Sequence, residues 1–471
     1  MSFKLIMAFF SILLSIGCAK DTKSSRSGTY LSGEIVNPTS NHILLRKNNV
    51  LVDSIPLDQD NKFFYKLENV DNGLYEIFHN EEQLIYLESG DSLLLRVNTF
   101  EFDETLTFSG YGEAENNLMI QSFLQNEQEN NLMIRGDIYQ TDPETFNQNI
   151  LKLKQEREAY LETFLERNEV SEEFEKIARA IIKYDFCARK EVYPTSHFGE
   201  DRLKYMDSLP GSFYDCRKEA DFNDASLINL FSYQRFLLNY FNHEAYKAYY
   251  KSEPYNPQSF THNLHKLRII ETKIKDETVE SFLLTRTIKN YLANSNDKKG
   301  GETLYDIYMD RISSKNDKTE IEKLYQANKN IETGKRIPEE RVINVNNDTL
   351  NLRDLIKKPT FIFFWSNSKK SQAKRSQALA ESLIQKYPQY TYLSINVNDD
   401  YTDWINTIRR YDFDPSKQMQ FTDSYKKITR DLAMNSLLKT FILDRKGFII
   451  NAHANIYSSN FENELVQGLE K

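Results

Sequence analysis

Residues 358–372 read KPTFIFFWSNSKKSQ, and this stretch decides the fold predicted for the last third of the chain. A short apolar run, Thr360 to Trp365, is bounded by Pro359 on one side and by polar residues on the other. Such a run is typical of a strand buried on both faces of a sheet. The residues from Ser371 to Tyr387 follow with a helical spacing of apolar positions. A strand that leads directly into a helix indicates an α/β domain, which we place at residues 335–471.

The rest of this region alternates in the same way. A strand is predicted at Tyr390–Asn398, helices at Asp403–Tyr411 and Tyr425–Leu432, a strand pair at Thr440–Asp444 and Phe448–His453, and a last helix at Asn460–Leu469. The order is β-α-β-α-β-β-α, a parallel pair joined to an antiparallel pair. With the opening Ile337-Pro338 and the segment from Arg341 to Leu355, it resembles the TlpA-type thiol-disulfide reductases, whose fold is thioredoxin-like and related to the AhpC-TSA group.

The resemblance implies a redox site that this sequence lacks. Those reductases carry Cys-x-x-Cys shortly after the Phe-Trp of the first strand. Counting from Trp365, the two cysteine positions fall on Lys369 and Gln372, or on Ser368 and Ser371 if the register moves by one. Thiol-disulfide exchange needs a thiolate, and a serine hydroxyl without an adjacent base cannot replace it.

The second landmark of the family is also missing. A cis-proline precedes its Thr-Phe-Leu-Ile-Asp strand, whereas Leu438 or Lys439 stands at that position here. A cis bond before a residue other than proline costs about 3 kcal/mol, so a trans, remodelled loop is expected. The redox motif is therefore degenerate at two places. This argues against an enzymatic function, and no cofactor is expected. We expect the side chains of Lys369 and Lys370 to be exposed to solvent. A small anion site formed by these two lysines is the alternative.

The N-terminus has the pattern of an exported lipoprotein. Lys4 precedes an apolar run, and Leu14-Ser15-Ile16-Gly17-Cys18 resembles the bacterial lipobox, with Ser15 where leucine is usual. We predict a signal peptide at residues 1–17, lipidation of Cys18 and a polar tether at residues 18–28. The expected location is the cell envelope, at the outer membrane on its periplasmic or surface side, with the membrane as a partner through the lipid anchor. An ordinary signal peptide or an uncleaved anchor remains an alternative.

Two further domains are predicted between the tether and the C-terminal domain. Short strands recur about every ten residues in residues 29–112, which predicts a small antiparallel β-sandwich, with a barrel as the alternative. Its turns resemble an N-terminal β-domain of envelope lipoproteins. From residue 113 to residue 334 the apolar period becomes helical, which predicts an all-α domain. The fold class is thus multidomain α+β: sandwich, helical region and thioredoxin-like domain.

Two cysteines, Cys187 and Cys216, remain once Cys18 is used. In an oxidising envelope they could form a disulfide, but two buried free thiols or a single reactive thiol are alternatives. The helical domain also holds His262 and His265, three residues apart, but no third ligand, so no metal site is predicted. Its dense aromatic residues, from Phe231 to Tyr255, indicate core packing, with an aromatic-lined ligand groove as the alternative.

The composition of the chain limits the classes of partner that we expect it to bind. The chain has 471 residues and a net charge of −9, with acids and bases interleaved, so a nucleic-acid partner is not expected. Three functions follow: a non-catalytic binding or scaffolding lipoprotein, whose protein or small-molecule partner is unknown; a TlpA-like thiol-disulfide oxidoreductase, which would need Cys187 or Cys216 at the site; and a ligand-binding module built on the helical domain. The first is favoured.

Overall fold

The structure, a computed structural model, describes residues 28–48, 50–79, 81–199, 203, 209–397, 399–434 and 436–469. The predicted signal peptide, most of the tether and Cys18 lie outside these residues. Within them the chain is a mixed α/β protein with three sheets. Its contacts group into two compact units, Met1–Phe186 and Cys187–Lys471, which are described separately below. The predicted boundaries 29–112, 113–334 and 335–471 remain predictions.

The first unit opens with eight strands and continues into helices. They are β1 (Thr29–Val36), β2 (His42–Lys47), β3 (Val50–Pro56), β4 (Lys62–Leu67), β5 (Gly73–His79), β6 (Glu81–Leu87), β7 (Ser92–Asn98), α1 (Phe102–Thr105), β8 (Thr107–Tyr111), α2 (Glu113–Arg135), α3 (Pro143–Arg167) and α4 (Glu172–Phe198), the last of which continues into the second unit. Asp142 accepts hydrogen bonds from the backbone N–H groups of Glu144 and Thr145, and Pro143 is the first helical residue of α3. Asp142 is thus the N-cap of α3, and proline suits the first helical position because it has no N–H to leave unbonded there.

The strands form two four-stranded sheets, in the orders β4-β1-β7-β8 and β3-β2-β5-β6. Apolar side chains of both sheets share one buried cluster, as a sandwich requires. The prediction of a purely antiparallel sandwich is wrong, because β1 and β7 pair in parallel. Alternating burial along a strand does not reveal its direction, so the sequence could not show this. Gly33 is needed at that pairing, since a Cβ there would lie 2.6 Å from the Leu95 carbonyl oxygen.

The second unit begins with the rest of α4 and continues through helices into a seven-stranded sheet. The helices before the sheet are α5 (Cys216–Glu219), α6 (Phe231–Tyr249), α7 (Phe260–Lys273), α8 (Glu277–Asn294), α9 (Lys298–Arg311) and α10 (Lys315–Asn330). Most aromatic side chains of α6 are buried in the helical core, whereas Phe231 is 70% exposed. Core packing therefore accounts for most of these aromatic residues. None of the described helices has the length and apolarity needed to cross a membrane.

The remaining elements lie in the C-terminal part of the second unit, within the predicted domain at residues 335–471. They are β9 (Arg341–Ile343), β10 (Thr349–Asn351), β11 (Thr360–Trp365), α11 (Lys370–Lys386), β12 (Thr391–Asn396), α12 (Tyr401–Tyr411), β13 (Gln418–Phe421), α13 (Tyr425–Asp431), β14 (Lys439–Leu443), β15 (Ile449–Asn455) and α14 (Phe461–Leu469). The strand order is β10-β9-β13-β12-β11-β14-β15. β11 is parallel to β12 and antiparallel to β14, and β15 is antiparallel to β14. These connections are those of a thioredoxin-like fold.

β11 is an interior strand of this sheet, paired with β12 on one side and with β14 on the other, and every one of its residues is buried. Ile362 and Phe364 face one apolar cluster of the domain, and Phe361 and Phe363 face the cluster under α11 and α14. Burial on both faces explains the uninterrupted apolar run that dominates the sequence.

Candidate functional site

The candidate site lies where β11 ends and the chain turns into α11. The turn is a short 3₁₀ segment, Asn367–Lys369, and α11 begins at Lys370. β11, β12 and β13 run parallel, so their carboxyl ends meet at this edge of the sheet. Ligands of open α/β sheets bind at such an edge, and the redox cysteines of the resembling reductases would stand in this turn.

A half-buried carboxylate, Asp399, holds this turn in place. It accepts hydrogen bonds from the Ser366 hydroxyl at 3.1 Å and from the Asn367 backbone N–H at 2.6 Å. The amide of Asn396, at the end of β12, also donates to Asp399. Gln420, in β13, donates to the Asn396 side-chain oxygen at 3.1 Å and to the Asp399 carbonyl at 2.7 Å. The ends of three strands are thereby tied to the turn.

Opposing effects act on the pKa of the carboxylate that holds this turn. Burial raises the pKa of the Asp399 carboxyl, while the hydrogen bonds from Asn396, Asn367 and Ser366 act in the opposite direction. His453 is the one histidine of residues 335–471. It contacts the Ala293 carbonyl oxygen through Nδ1 at 2.8 Å, and burial lowers its pKa to about 3. Because that imidazole is neutral and engaged elsewhere, it does not serve as a general base for the Ser366 hydroxyl, which donates to Asp399 instead.

The structure separates the four redox-motif positions. Ser368 lies in the 3₁₀ turn, Lys369 precedes α11 with an exposed side chain, and Ser371 is exposed in the first turn of α11. Gln372 instead points back to the sheet, where its amide donates to the Phe364 carbonyl at 3.2 Å. Lys369 and Gln372, the pair of the first register, therefore lie in different surroundings, since one side chain is exposed and the other is turned toward the sheet.

The loop before β14 is remodelled around a buried lysine. Leu438 is 42% exposed, and its backbone N–H donates to the Ser436 hydroxyl at 3.1 Å. Lys439 is only 5% exposed and donates from Nζ to the Ala433 carbonyl at 2.8 Å. Burial lowers the pKa of Lys439 to about 7. The described peptide bonds are all trans, in line with the trans loop expected here.

Exposed cations gather beside the turn. Lys369, Lys370, Lys374 and Arg375, which we name the basic face, are all exposed on or just before the first two turns of α11. None of them forms an ion pair with a carboxylate in the part of the chain that the structure describes. Lys374 and Arg375 instead lie over aromatic rings, 4.6 Å from the ring centre of Tyr411 and 4.7 Å from that of Tyr457.

Outside this edge, the structure describes the surroundings of two other groups of candidate residues. Cys187 is buried and Cys216 is half-buried, and a hydrogen bond joins their thiols. His262 is buried, with its ring nitrogens 3.0 Å from the Tyr249 hydroxyl and 3.3 Å from the Asn242 side-chain oxygen. Both nitrogens are occupied, so His262 is a packed core residue. No cluster of three metal-ligating side chains occurs among the described residues.

Sequence reasoning missed Asp399, the strand β13 and the burial of Lys439. Asp399 follows β12 in a polar stretch, where nothing in the sequence distinguishes it from its neighbour Asp400. β13 is only four residues long and contains two buried glutamines, Gln418 and Gln420. The signal that could have found Lys439 is its position in the otherwise apolar run Leu437 to Leu443.

No protein-family model and no curated protein matches this chain. Solved structures similar to part of this chain include the thioredoxin domain of a thiol-disulfide oxidoreductase from Bacteroides vulgatus, with 15% identity, 29% of this chain and 96% of that chain covered, and a TM-score of 0.25. Another is the exposed lipoprotein thioredoxin of Streptococcus pneumoniae, with 16% identity, coverage of 28% and 98%, and a TM-score of 0.23. The thioredoxin-like assignment rests on the strand order and connections described above.

The role of Asp399 in holding the turn gives a stability prediction. Replacing Asp399 by Ala leaves the Asn367 N–H and the Asn396 amide without their acceptor. We expect a loss of about 1–3 kcal/mol in the free energy of unfolding, the cost of unsatisfied buried donors. Urea unfolding followed by circular dichroism measures it. Asp354→Ala, an exposed carboxylate of the same domain, is the matched control and should change stability by less than about 0.5 kcal/mol. Equal effects of the two changes would contradict the role given to Asp399.

Proposed function

We propose that this chain is a lipid-anchored protein of the cell envelope, held by Cys18, whose thioredoxin-like domain binds a partner instead of catalysing thiol exchange at the redox turn. One observation carries the proposal. The turn after β11 contains no cysteine, and a carboxylate, Asp399, ties its backbone to the sheet. A turn fixed in this way serves as a rigid platform, and binding sites are more precise on rigid elements than on loops.

The positive charge of the basic face indicates which class of partner it binds. A helix N-terminus carries a partial positive charge, so each cation placed there costs about 0.3–1 kcal/mol at low ionic strength. The first turn of α11 nevertheless holds no acidic residue to offset Lys369 and Lys370. The arrangement opposes helix stability in a chain whose net charge is −9, and it favours a negatively charged partner. We therefore infer an acidic peptide or protein surface as the ligand class.

An affinity measurement with polyglutamate tests this proposal. Fluorescence anisotropy of labelled polyglutamate should report binding to the full chain that weakens as salt is added, because exposed charges are screened. The double variant Lys369→Glu/Lys370→Glu should bind at least about tenfold more weakly, since it reverses two contacts worth roughly 1 kcal/mol each.

The matched control reverses two exposed lysines of α10, Lys315→Glu/Lys323→Glu, which makes the same change in net charge. It should keep most of the wild-type affinity. If the two double variants weaken binding equally, the attraction reflects net charge alone and the basic face is not a site.

A further inference from the structure

A pair of thiols in the helical part of the second unit has no role in the function proposed above. Cys187 lies within α4 and Cys216 is the first residue of α5. Their thiols are joined by a hydrogen bond, although 28 residues separate them in sequence. Cys187 is 2% exposed, whereas Cys216 is partly open to solvent. Cys216 is thus the more accessible residue of the two, and the buried Cys187 is in contact with it.

Fixed charges surround the reachable thiol. Arg217 forms two hydrogen bonds of 2.6 Å with the fully buried carboxylate of Glu191 and a longer contact of 3.3 Å with Glu244. Its guanidinium also lies 3.7 Å from the ring centre of Tyr214. These contacts fix the cation next to Cys216. The hydrogen bond from Cys187 lowers the pKa of the Cys216 thiol, with help from Lys190 and Arg217, against burial and Glu191.

We propose that Cys216 and Cys187 form a thiol-disulfide exchange site for small disulfides, with Cys216 as the attacking thiol and Cys187 as the resolving thiol. The Cys216 thiolate attacks one sulfur of an external disulfide, for which glutathione disulfide is the probe. A mixed disulfide forms and one glutathione thiolate leaves. Cys187 then gives up its proton and attacks the Cys216 sulfur, which expels the second glutathione. The protein loses two hydrogens and two electrons, and one glutathione disulfide becomes two glutathione thiols.

The division of roles follows from exposure and contact. An external disulfide can reach Cys216 but not the buried Cys187, and the second step needs a thiol already touching Cys216. This site shares no residue with the basic face or with the turn at Ser366. Its failure would therefore leave the proposed binding function untouched, and the reverse also holds.

Mass spectrometry of the full chain carrying Cys18→Ser tests the site. After treatment with excess glutathione disulfide, we expect one internal disulfide, a Cys187–Cys216 linked peptide and reversal by dithiothreitol under native conditions. The Cys187→Ser variant should stop at a glutathione adduct on Cys216. The Cys216→Ser variant should form an adduct on Cys187 at least about tenfold more slowly, because that thiol is buried.

Two controls keep the test independent of misfolding. Circular dichroism of each variant, with Cys187→Ala beside Cys187→Ser, must match the parent protein. In denaturant both single-cysteine variants should react at similar rates, which shows that the native difference comes from the fold. An internal disulfide that native dithiothreitol cannot reduce, adducts at equal rates on both native cysteines, or no reaction at Cys216 would each overturn the proposal.

Discussion

Replacing Arg157 by Met should lower the free energy of unfolding of the first unit by about 3–5 kcal/mol, the cost of leaving buried carboxylates without their counterion. Arg157 extends from α3 and is 3% exposed. It donates to Glu129 of α2 at 2.9 and 2.7 Å, and its third nitrogen lies 3.4 Å from Asp185 of α4. Methionine keeps much of the side-chain length, so the loss reports the charges and not a cavity.

Arg179→Met is the matched control for this prediction. Arg179 also contacts two carboxylates, Glu162 and Glu175, but it is 45% exposed. Water screens such pairs, and their contribution is about 0–1 kcal/mol. Urea unfolding monitored by circular dichroism compares the two variants. A loss of less than about 1 kcal/mol for Arg157→Met would show that the three helices are not held by this ion group.

Replacing Lys439 by Met should have the opposite effect and stabilise the protein by about 2–4 kcal/mol below pH 7. Lys439 is buried with its Nζ bonded to one carbonyl, and burial lowers its pKa to about 7 from 10.5. Keeping that lysine charged in the folded chain costs up to about 5 kcal/mol, since each pKa unit is worth about 1.4 kcal/mol. Losing the hydrogen bond to the Ala433 carbonyl reduces this gain in stability by about 1 kcal/mol.

The lowered pKa of Lys439 also determines how the stability of the protein changes with pH. Between pH 7 and pH 10.5 the unfolded chain keeps the Lys439 proton and the folded chain has lost it. Stability of the wild-type protein therefore rises with pH across this window, because the unfolded state binds more protons there. In Lys439→Met that rise should be absent, so the gain at pH 6 should exceed the gain at pH 9.5.

Denaturation curves at the two pH values measure this difference. Lys446→Met, which removes an exposed lysine of the same domain, should change stability by less than about 0.5 kcal/mol at either pH. A Lys439→Met variant that is less stable than the wild type at pH 6 would show that the buried ammonium contributes more than it costs.

Most elements of residues 335–471 could be predicted from the sequence in their observed order, although β13 was missed. The run from Thr360 to Trp365 predicted the buried strand β11, and the apolar stretch beginning near Thr440 predicted the strand pair β14 and β15. Local periodicity carries this information because each element must present apolar residues to the same core. It carries none about direction, which explains why the parallel pairing of β1 and β7 was missed.

The polar part of the site could not be read from the sequence in the same way. Asp399 acts on Ser366 and Asn367, more than 30 residues earlier in the chain, and only the fold brings them together. Cys187 and Cys216 are likewise brought into contact only by the fold. The sequence suggested that they pair because two cysteines remain after Cys18 and the predicted compartment is oxidising. Lys439 was noticed only as the residue at a missing proline.

Hydrogen exchange of the full chain with and without polyglutamate tests the central claim, that the edge of the thioredoxin-like domain binds an acidic partner. Peptides covering residues 366–377 should exchange more slowly with polyglutamate present, because the free backbone N–H groups at the start of α11 would be covered. Peptides of α10 should not change. Slower exchange at α11 that disappears in Lys369→Glu/Lys370→Glu is the result we predict. Unchanged exchange at residues 366–377 under conditions where polyglutamate is bound would contradict the account.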